Sequence, residues 1–391
     1  MDMTNKLAQR NKGVEWSGIR IMFAEAEGVP DMVNLGIGQP DFNTPVHIRD
    51  AAKKGLDEGF TRYPPAKGFS DLRKAIARKL LSKNQIEADP EKEIFVAVGA
   101  MQVIFNSMLH LVETGDEVIV MDPGYDYYSQ IRLFGGVPVP VPVYEENRFK
   151  LNPDDLLKAV TPKTKMIILN TPSNPTGAVL GREELQAVAK IAMEKDIWVL
   201  SDEPYEDMMF DGNAHISIGS FPGMKERTIS AYTLSKSYAM TGWRVGYAAA
   251  PEAVIDEMEK LMEHMVSGVS APAQRAALAA IESSQECVAD MLAAYEKRRE
   301  VVYEGINAID GISCIKPEST FYAFINIKSL GRSSWDVARH LVKNHRIALI
   351  PGVIFGPHGE GFLRLSFAAS IENLKEGLKR LEAGVETLKT K

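Results

Sequence analysis

The stretch "RTISAYTLSKSYAMTGWRVGYAAA", residues 227–250, holds two short apolar runs around a polar loop. "RTISAYT" (227–233) reads as one strand and "WRVGYAAA" (243–250) as another. Between them lies Lys236, flanked by Ser235 and Ser237, with Thr233 before it and Arg244 behind. Short runs of this kind, without clean alternation, suit a sheet buried on both faces. A loop lysine is ordinarily just hydrated, so the meaning of Lys236 depends on what else the chain delivers to the same sheet edge.

Moving upstream, the same grammar repeats. "EIFVAV" (93–98) leads into "GAMQVIFNSMLHLV", which has helical spacing, and "DEVIVM" (116–121) leads into "DPGYDYYSQIRLFG". "KMIIL" (165–169) leads into a loop and a helix, and "DIWVL" (196–200) into "SDEPYED". Strand–helix alternation predicts a mostly parallel α/β sheet. From about residue 253 the order changes to long helical stretches, then "STFYAFINI", a helix near "SSWDVARHLVKNH", "RIALIPG", "GFLRLSFA" and a C-terminal helix. That order predicts a smaller α+β domain. The expected division is an arm plus part of the small domain over 1–45, a large domain over 46–280 and the small domain over 281–391.

Composition narrows the function. The 391 residues are 45% hydrophobic and 25% charged, as in ordinary globular chains. A net charge of −7 argues against a nucleic-acid or anionic-membrane surface. Cys287 and Cys314 form no CxxC pair, and two free thiols fit a reducing cytoplasm. The opening "MDMTNKLAQRNKG" is too polar for a signal peptide, and no apolar run reaches the ~18 residues of a membrane helix. His110, His215 and His264 show no metal-ligand spacing, so no metal is expected. No GxGxxG follows a strand, which disfavours a nicotinamide site. "EKRRE" (296–300) reads as a solvated helix face.

In open α/β sheets ligands bind beyond the carboxyl ends of the strands. Those ends carry Gly99-Ala100-Met101 at a helix start, then Pro123-Gly124-Tyr125, then Asn170 and Asn174. Asp202 with Tyr205 and Thr233 with Ser235 and Lys236 complete the set. Backbone amides at a helix start cradle phosphate, and a guanidinium such as Arg244 pairs with it bidentately. With an aromatic plate, an amide, a carboxylate, a phenol and a lysine, the collection matches a phosphorylated aromatic aldehyde held covalently by an amine.

The segments "NLGIGQPDF" (34–42), "RYPPAKGFSDLRKAI" (62–76), "NTPSNPTG" (170–177), "SDEPYE" (201–206), "SKSYAMTGWRVGY" (235–247) and "FLRLSFA" (362–368) run in one order across nearly the whole chain. In that order they resemble the class I/II aminotransferases, in the prokaryotic-type aspartate aminotransferase branch. The resemblance implies fold type I, a mostly parallel seven-stranded sheet sandwiched by helices with a smaller α+β domain, and pyridoxal 5'-phosphate as cofactor. It implies that Lys236 bonds the cofactor aldehyde and shuttles the substrate proton. Asp202 would pair with the pyridine nitrogen, keeping the ring protonated. Tyr205 and Asn174 would share the ring oxygen, and Tyr125 would stack on the ring. Ala100, Met101, Thr233 and Arg244 would hold the phosphate, with Tyr63 reaching the phosphate of a neighbouring subunit in a homodimer with shared sites. Arg364, a charge in an apolar strand, would clamp the substrate α-carboxylate with Asn174 and the backbone of Gly38.

The implied reaction moves an amino group from an L-amino acid to a 2-oxo acid, 2-oxoglutarate being the expected acceptor. Aspartate-specific members carry a lysine at the position matching Met101, so a neutral or aromatic donor is expected here. "EWSGIR" (15–20) is expected to lie over the pocket. The alternatives are a lyase or synthase of the same cofactor class, such as a C–S β-lyase, and a non-catalytic effector-binding domain. Such sensors carry a fused DNA-binding domain, for which no room precedes the fold, and Lys236 is present.

Overall fold

The computed structural model describes residues 6–389. Its centre is a seven-stranded sheet. From edge to edge the strands are Ile94–Ala97, Gly246–Ala249, Thr228–Thr233, Trp198–Asp202, Thr164–Asn170, Glu117–Asp122 and Val137–Pro142. All neighbours pair in parallel except Gly246–Ala249, which runs against both strands beside it. The expected mostly parallel α/β architecture is the one observed.

Both faces are covered, and the strands show it residue by residue. Ile119, Met121, Ile167 and Leu169 enter one hydrophobic cluster, while Val118, Val120, Met166 and Ile168 enter the other. That is the two-residue period of a pleated strand with core on either side. It explains why these segments read as continuous apolar runs.

The reversed strand fixes one corner of the site. Gly246 pairs with Ala97 on one side and Thr233 on the other. Because Gly246–Ala249 is antiparallel, its beginning lies at the carboxyl edge of its neighbours. Arg244, two residues before it, therefore arrives where Gly99 and Thr233 stand. Nothing in the local sequence announces that reversal.

The edge strand Val137–Pro142 was not among the readable runs. Its sequence VPVPVP alternates prolines, which cannot donate to a ladder and ordinarily argue against a strand. It survives because it is an edge, pairing only with Glu117–Asp122.

Beyond residue 310 the chain forms a four-stranded antiparallel sheet in the order Ile350–Pro351, Phe362–Ser366, Tyr322–Asn326, Ser313–Cys314. Arg364 sits inside it, opposite Phe324 on one neighbour and Ile350 on the other. Val33–Asn34 pairs in parallel with Ile347–Ala348, tying the N-terminal arm to this sheet's end of the chain. Helix Gly18–Ala26 lies earlier in the same arm.

One surface reading is corrected. Within "EKRRE", Arg299 is buried, donating to Asp211 Oδ1 at 2.7 Å and Oδ2 at 2.8 Å and to the Pro317 carbonyl at 3.1 Å. Arg298 pairs with Asp41 at 2.7 Å and lies 5.0 Å from the Phe42 ring centre. The helix Glu286–Asn307 turns these arginines inward, where buried charge is tolerated because it is paired.

Candidate active site

At the carboxyl edge of the large sheet, where it meets strand Phe362–Ser366, lies a cavity of about 360 Å³. Ala100, Met101, Tyr125, Asn174, Asp202, Tyr205, Thr233, Lys236 and Arg244 all line it, together with Gly38 and Arg364. Of the residues expected to contact cofactor or substrate, Tyr63 alone stands apart. It is 89% exposed and outside its own chain's cavity.

Lys236 lies in the turn that follows Thr228–Thr233, and its Nζ donates to the Gly38 carbonyl at 2.6 Å. Burial pushes its ammonium down to about 8, with the charges of Arg364 and Arg244 adding to the effect and Asp202 opposing it. An amine so shifted is still mostly protonated near neutral pH but is neutral in a far larger fraction than an ordinary lysine, and the neutral form is the one a nucleophile and proton carrier needs.

Asp202 ends its strand almost fully buried. Its Oδ2 accepts from the Tyr127 hydroxyl at 2.6 Å and from Asn170 Nδ2 at 3.4 Å. Its Oδ1 has no partner. Burial pushes the carboxyl up to about 7, against the lowering effect of the Tyr127 bond. A buried carboxylate with one satisfied and one orphaned oxygen is a site for an incoming N–H cation.

The phosphate-like corner is built by close approach. Gly99 precedes helix Ala100–Leu111 with φ +73°, a conformation that favours glycine. A Cβ there would come within 2.5 Å of the Arg244 guanidinium. The guanidinium thus rests against the glycine beside the helix's first, unpaired amides, with the positive end of the helix dipole behind it. Thr233 Oγ1 adds a hydroxyl, bonded to Ser235 Oγ at 2.9 Å.

The opposite corner belongs to Arg364, 1% exposed. It donates from Nη1 to Asn174 Oδ1 at 3.0 Å and from Nη2 to the Gly36 carbonyl at 2.7 Å, and its Nε has no partner. None of these acceptors carries a charge, so this guanidinium is buried without a counter-ion among the described residues. Gly38, whose backbone is expected at the same carboxylate, borders the cavity; its carbonyl accepts from Lys236, while the Gly36 carbonyl accepts from the arginine.

Two residues escaped the sequence reading. Tyr127, which holds Asp202, stands two positions after Tyr125, and nothing in "GYDYY" distinguishes the roles of its tyrosines. Tyr322 lies in the apolar run "STFYAFINI", yet its oxygen is 3.0 Å from that of Tyr205. Ile19, from "EWSGIR", joins Met101 and Ile104 on an apolar wall of the cavity, whereas Trp16 is 83% exposed. Met101 Sδ accepts from Gln130 Nε2 at 2.7 Å.

Comparison with known proteins agrees with this geometry. The family described as aminotransferase class I and II matches residues 30–381. An aspartate aminotransferase of Pyrococcus abyssi is 43% identical over 94% of this chain and 95% of its own. An aromatic-amino-acid aminotransferase of Thermococcus litoralis is 42% identical over 96% and 97%. Among solved structures, an aspartate aminotransferase from Thermus thermophilus with maleate superposes with a TM-score of 0.92 at 36% identity, covering 97% of this chain and 99% of that one. On these matches the chain belongs to the class I/II aminotransferases, pyridoxal-phosphate-dependent enzymes of fold type I.

Proposed function

We propose that this aminotransferase takes the α-amino group of a neutral or aromatic L-amino acid and passes it to 2-oxoglutarate, with pyridoxal 5'-phosphate bonded at Lys236. The carrying observation is Arg364: a buried guanidinium without a counter-ion, sharing one cavity with a lysine of lowered pKa. An α-carboxylate supplies the missing charge.

The chain's residues fit the cofactor at three separate points. The orphaned Oδ1 of Asp202 suits a ring N–H. The free amides at Ala100 and Met101 with Thr233 and Arg244 suit a phosphate. Asn174 Nδ2 and the Tyr205 hydroxyl suit the ring oxygen, and the Tyr125 ring suits its face. When bound, the cofactor supplies an aldehyde carbon and a protonated ring that withdraws electrons from the substrate Cα. Arg364 orients the substrate by its carboxylate. Lys236 Nζ, neutral, takes the proton from Cα and returns it to the former aldehyde carbon. Asp202 keeps the ring nitrogen protonated throughout.

Donor choice follows from the wall of Ile19, Met101 and Ile104. The cations bordering the cavity among the described residues are Lys236, Arg244 and Arg364, each with a role already given, so none of them is left over to meet a distal carboxylate. One relative is named for aspartate and another for aromatic amino acids, which keeps both within the family's range.

The proposal includes a homodimer with shared sites. Tyr63 is exposed, and Val46, Leu56, Met265 and Val266 are exposed apolar residues that a second copy would cover. It retains the domain division at residues 45 and 280, and a cytoplasmic location suited to two free thiols.

A donor panel tests the reading. Holoenzyme mixed with one amino acid at a time is followed by cofactor absorbance. Neutral and aromatic donors should convert it fully to the amine form with one equivalent of 2-oxo acid, faster than aspartate. Catalytic release of ammonia would indicate a lyase. Fastest conversion by aspartate would overturn the donor assignment.

A further inference from the structure

Tyr322 begins strand Tyr322–Asn326 and is 1% exposed, yet it borders the cavity. Three contacts radiate from it. Its oxygen lies 3.0 Å from the Tyr205 oxygen. Its ring faces the Arg364 guanidinium, 4.4 Å from Cζ to ring centre. Its hydroxyl also presses on Gly38, where a Cβ would come within 2.4 Å of it. Gly38 in turn gives its carbonyl to Lys236.

We propose that Tyr322 is a positioning residue that sets the Tyr205 hydroxyl and the Arg364 guanidinium together, coupling the cofactor side of the cavity to the carboxylate side. The proposal rests on the roles given above to Tyr205 and Arg364.

Between two phenols one must donate. Burial raises both phenols and the Arg364 charge opposes the rise in each, but Tyr205 is pushed up further than Tyr322, so the Tyr322 hydroxyl is the better donor. The Tyr205 oxygen then accepts, and its own proton is left to turn into the cavity. A hydroxyl that accepts a hydrogen bond donates more strongly in turn. On the other side the flat ring fixes the guanidinium plane, leaving Nε free while Nη1 and Nη2 are held. Gly38 has no side chain because the hydroxyl occupies that space.

Two substitutions separate the two effects in the pyridoxal-phosphate-loaded enzyme. Tyr322→Phe keeps the ring and removes the hydroxyl. The pH midpoint of the cofactor's absorbance change should rise by about half to one unit, since weaker donation from Tyr205 stabilises a negative ring oxygen less. Binding of 3-phenylpropionate, a carboxylate with a neutral side chain, should stay within about twofold, the ring still facing the cation. Tyr322→Leu should give the same midpoint shift and also weaken 3-phenylpropionate about 5- to 30-fold, the range of a desolvated cation–π contact. Tyr205→Phe is the reference and must itself raise the midpoint. If it does not, the role of Tyr205 is wrong and this proposal falls with it. If Tyr205→Phe shifts the midpoint and Tyr322→Phe does not, the Tyr322 proposal alone is overturned. Unchanged 3-phenylpropionate binding in a folded Tyr322→Leu protein overturns the coupling. Should the leucine variant not fold, Tyr322→Met, which also removes the ring and fills irregular space more readily, takes its place in the 3-phenylpropionate measurement.

Discussion

The Tyr127 hydroxyl donates to Asp202 Oδ2 at 2.6 Å and leaves Oδ1 of the same carboxylate buried without a partner, in a residue that lines the cavity. One tyrosine therefore orients the carboxylate proposed to meet the cofactor's ring nitrogen, engaging one oxygen with the scaffold and leaving the other open to a ligand.

The first prediction concerns pH and the apoprotein. Burial raises the Asp202 carboxyl from 3.8 to about 7 in the folded chain. Below pH 4 it is protonated in both states. Between about 4 and about 7 the folded chain keeps a proton that the unfolded chain releases, so stability falls as pH rises. The loss amounts to on the order of 4 kcal/mol for a shift of this size. Denaturant titrations from pH 4 to 8 should show this slope in the apoprotein and a flatter one in Asp202→Asn. Parallel slopes would contradict it. In the holoenzyme, Asp202→Asn should retain cofactor while turnover drops by orders of magnitude, because an amide cannot keep the ring nitrogen protonated.

A second prediction follows from Lys236. Its ammonium lies at about 8, below the 10.5 of an ordinary lysine. Acetylation of the apoprotein by a neutral reagent, mapped by mass spectrometry against pH, should give Lys236 a midpoint near 8. Borohydride reduction of the holoenzyme should label the same residue. Lys236→Ala should fold and hold cofactor non-covalently, since the phosphate corner and Asp202 do not depend on the amine. A label on another lysine would disprove the assignment.

Gly99→Ala tests the phosphate corner. The residue sits at φ +73°, and the new methyl would meet the Arg244 guanidinium. Strain of about 1–3 kcal/mol is expected. Cofactor affinity should drop about 10- to 100-fold by fluorescence titration. Unchanged affinity would mean the arginine does not use this position.

Met101→Lys tests donor choice. Met101 borders the cavity beside Ile19 and Ile104. An ammonium there gains a partner only with an acidic donor. The ratio of kcat/KM for aspartate over a neutral donor should rise about 10-fold or more, with little change in Tm. An unmoved ratio would refute the assignment of Met101 to donor recognition.

Much of the site was legible because its residues sit where apolar runs stop. Gly99, Asn170, Asp202 and Thr233 each stand at or just beyond the end of a readable strand, and a parallel sheet gathers such ends on one edge. Arg364 stood out as a charge within an apolar strand. What stayed hidden depended on pairing across long separations. Tyr322 looks like core until its strand is laid beside Phe362–Ser366 and against Tyr205. Arg299 looked solvated because its acid, Asp211, lies 88 positions away. That Arg364 Nη2 donates to the Gly36 carbonyl was likewise hidden, because backbone direction is not encoded in residue types.

The prolines of Val137–Pro142 bear on how two chains can meet. Three of its six residues have no N–H to offer, so this margin of the sheet cannot template an added strand. The opposite margin, Ile94–Ala97, is buried and already receives a cross-link, Val96 N–H to the Lys67 carbonyl at 3.1 Å. Association by edge-to-edge β-augmentation is thereby closed at both ends. The proposed homodimer is therefore not one built on the edges of this sheet, and the surface that carries Tyr63 would meet the second copy through side chains.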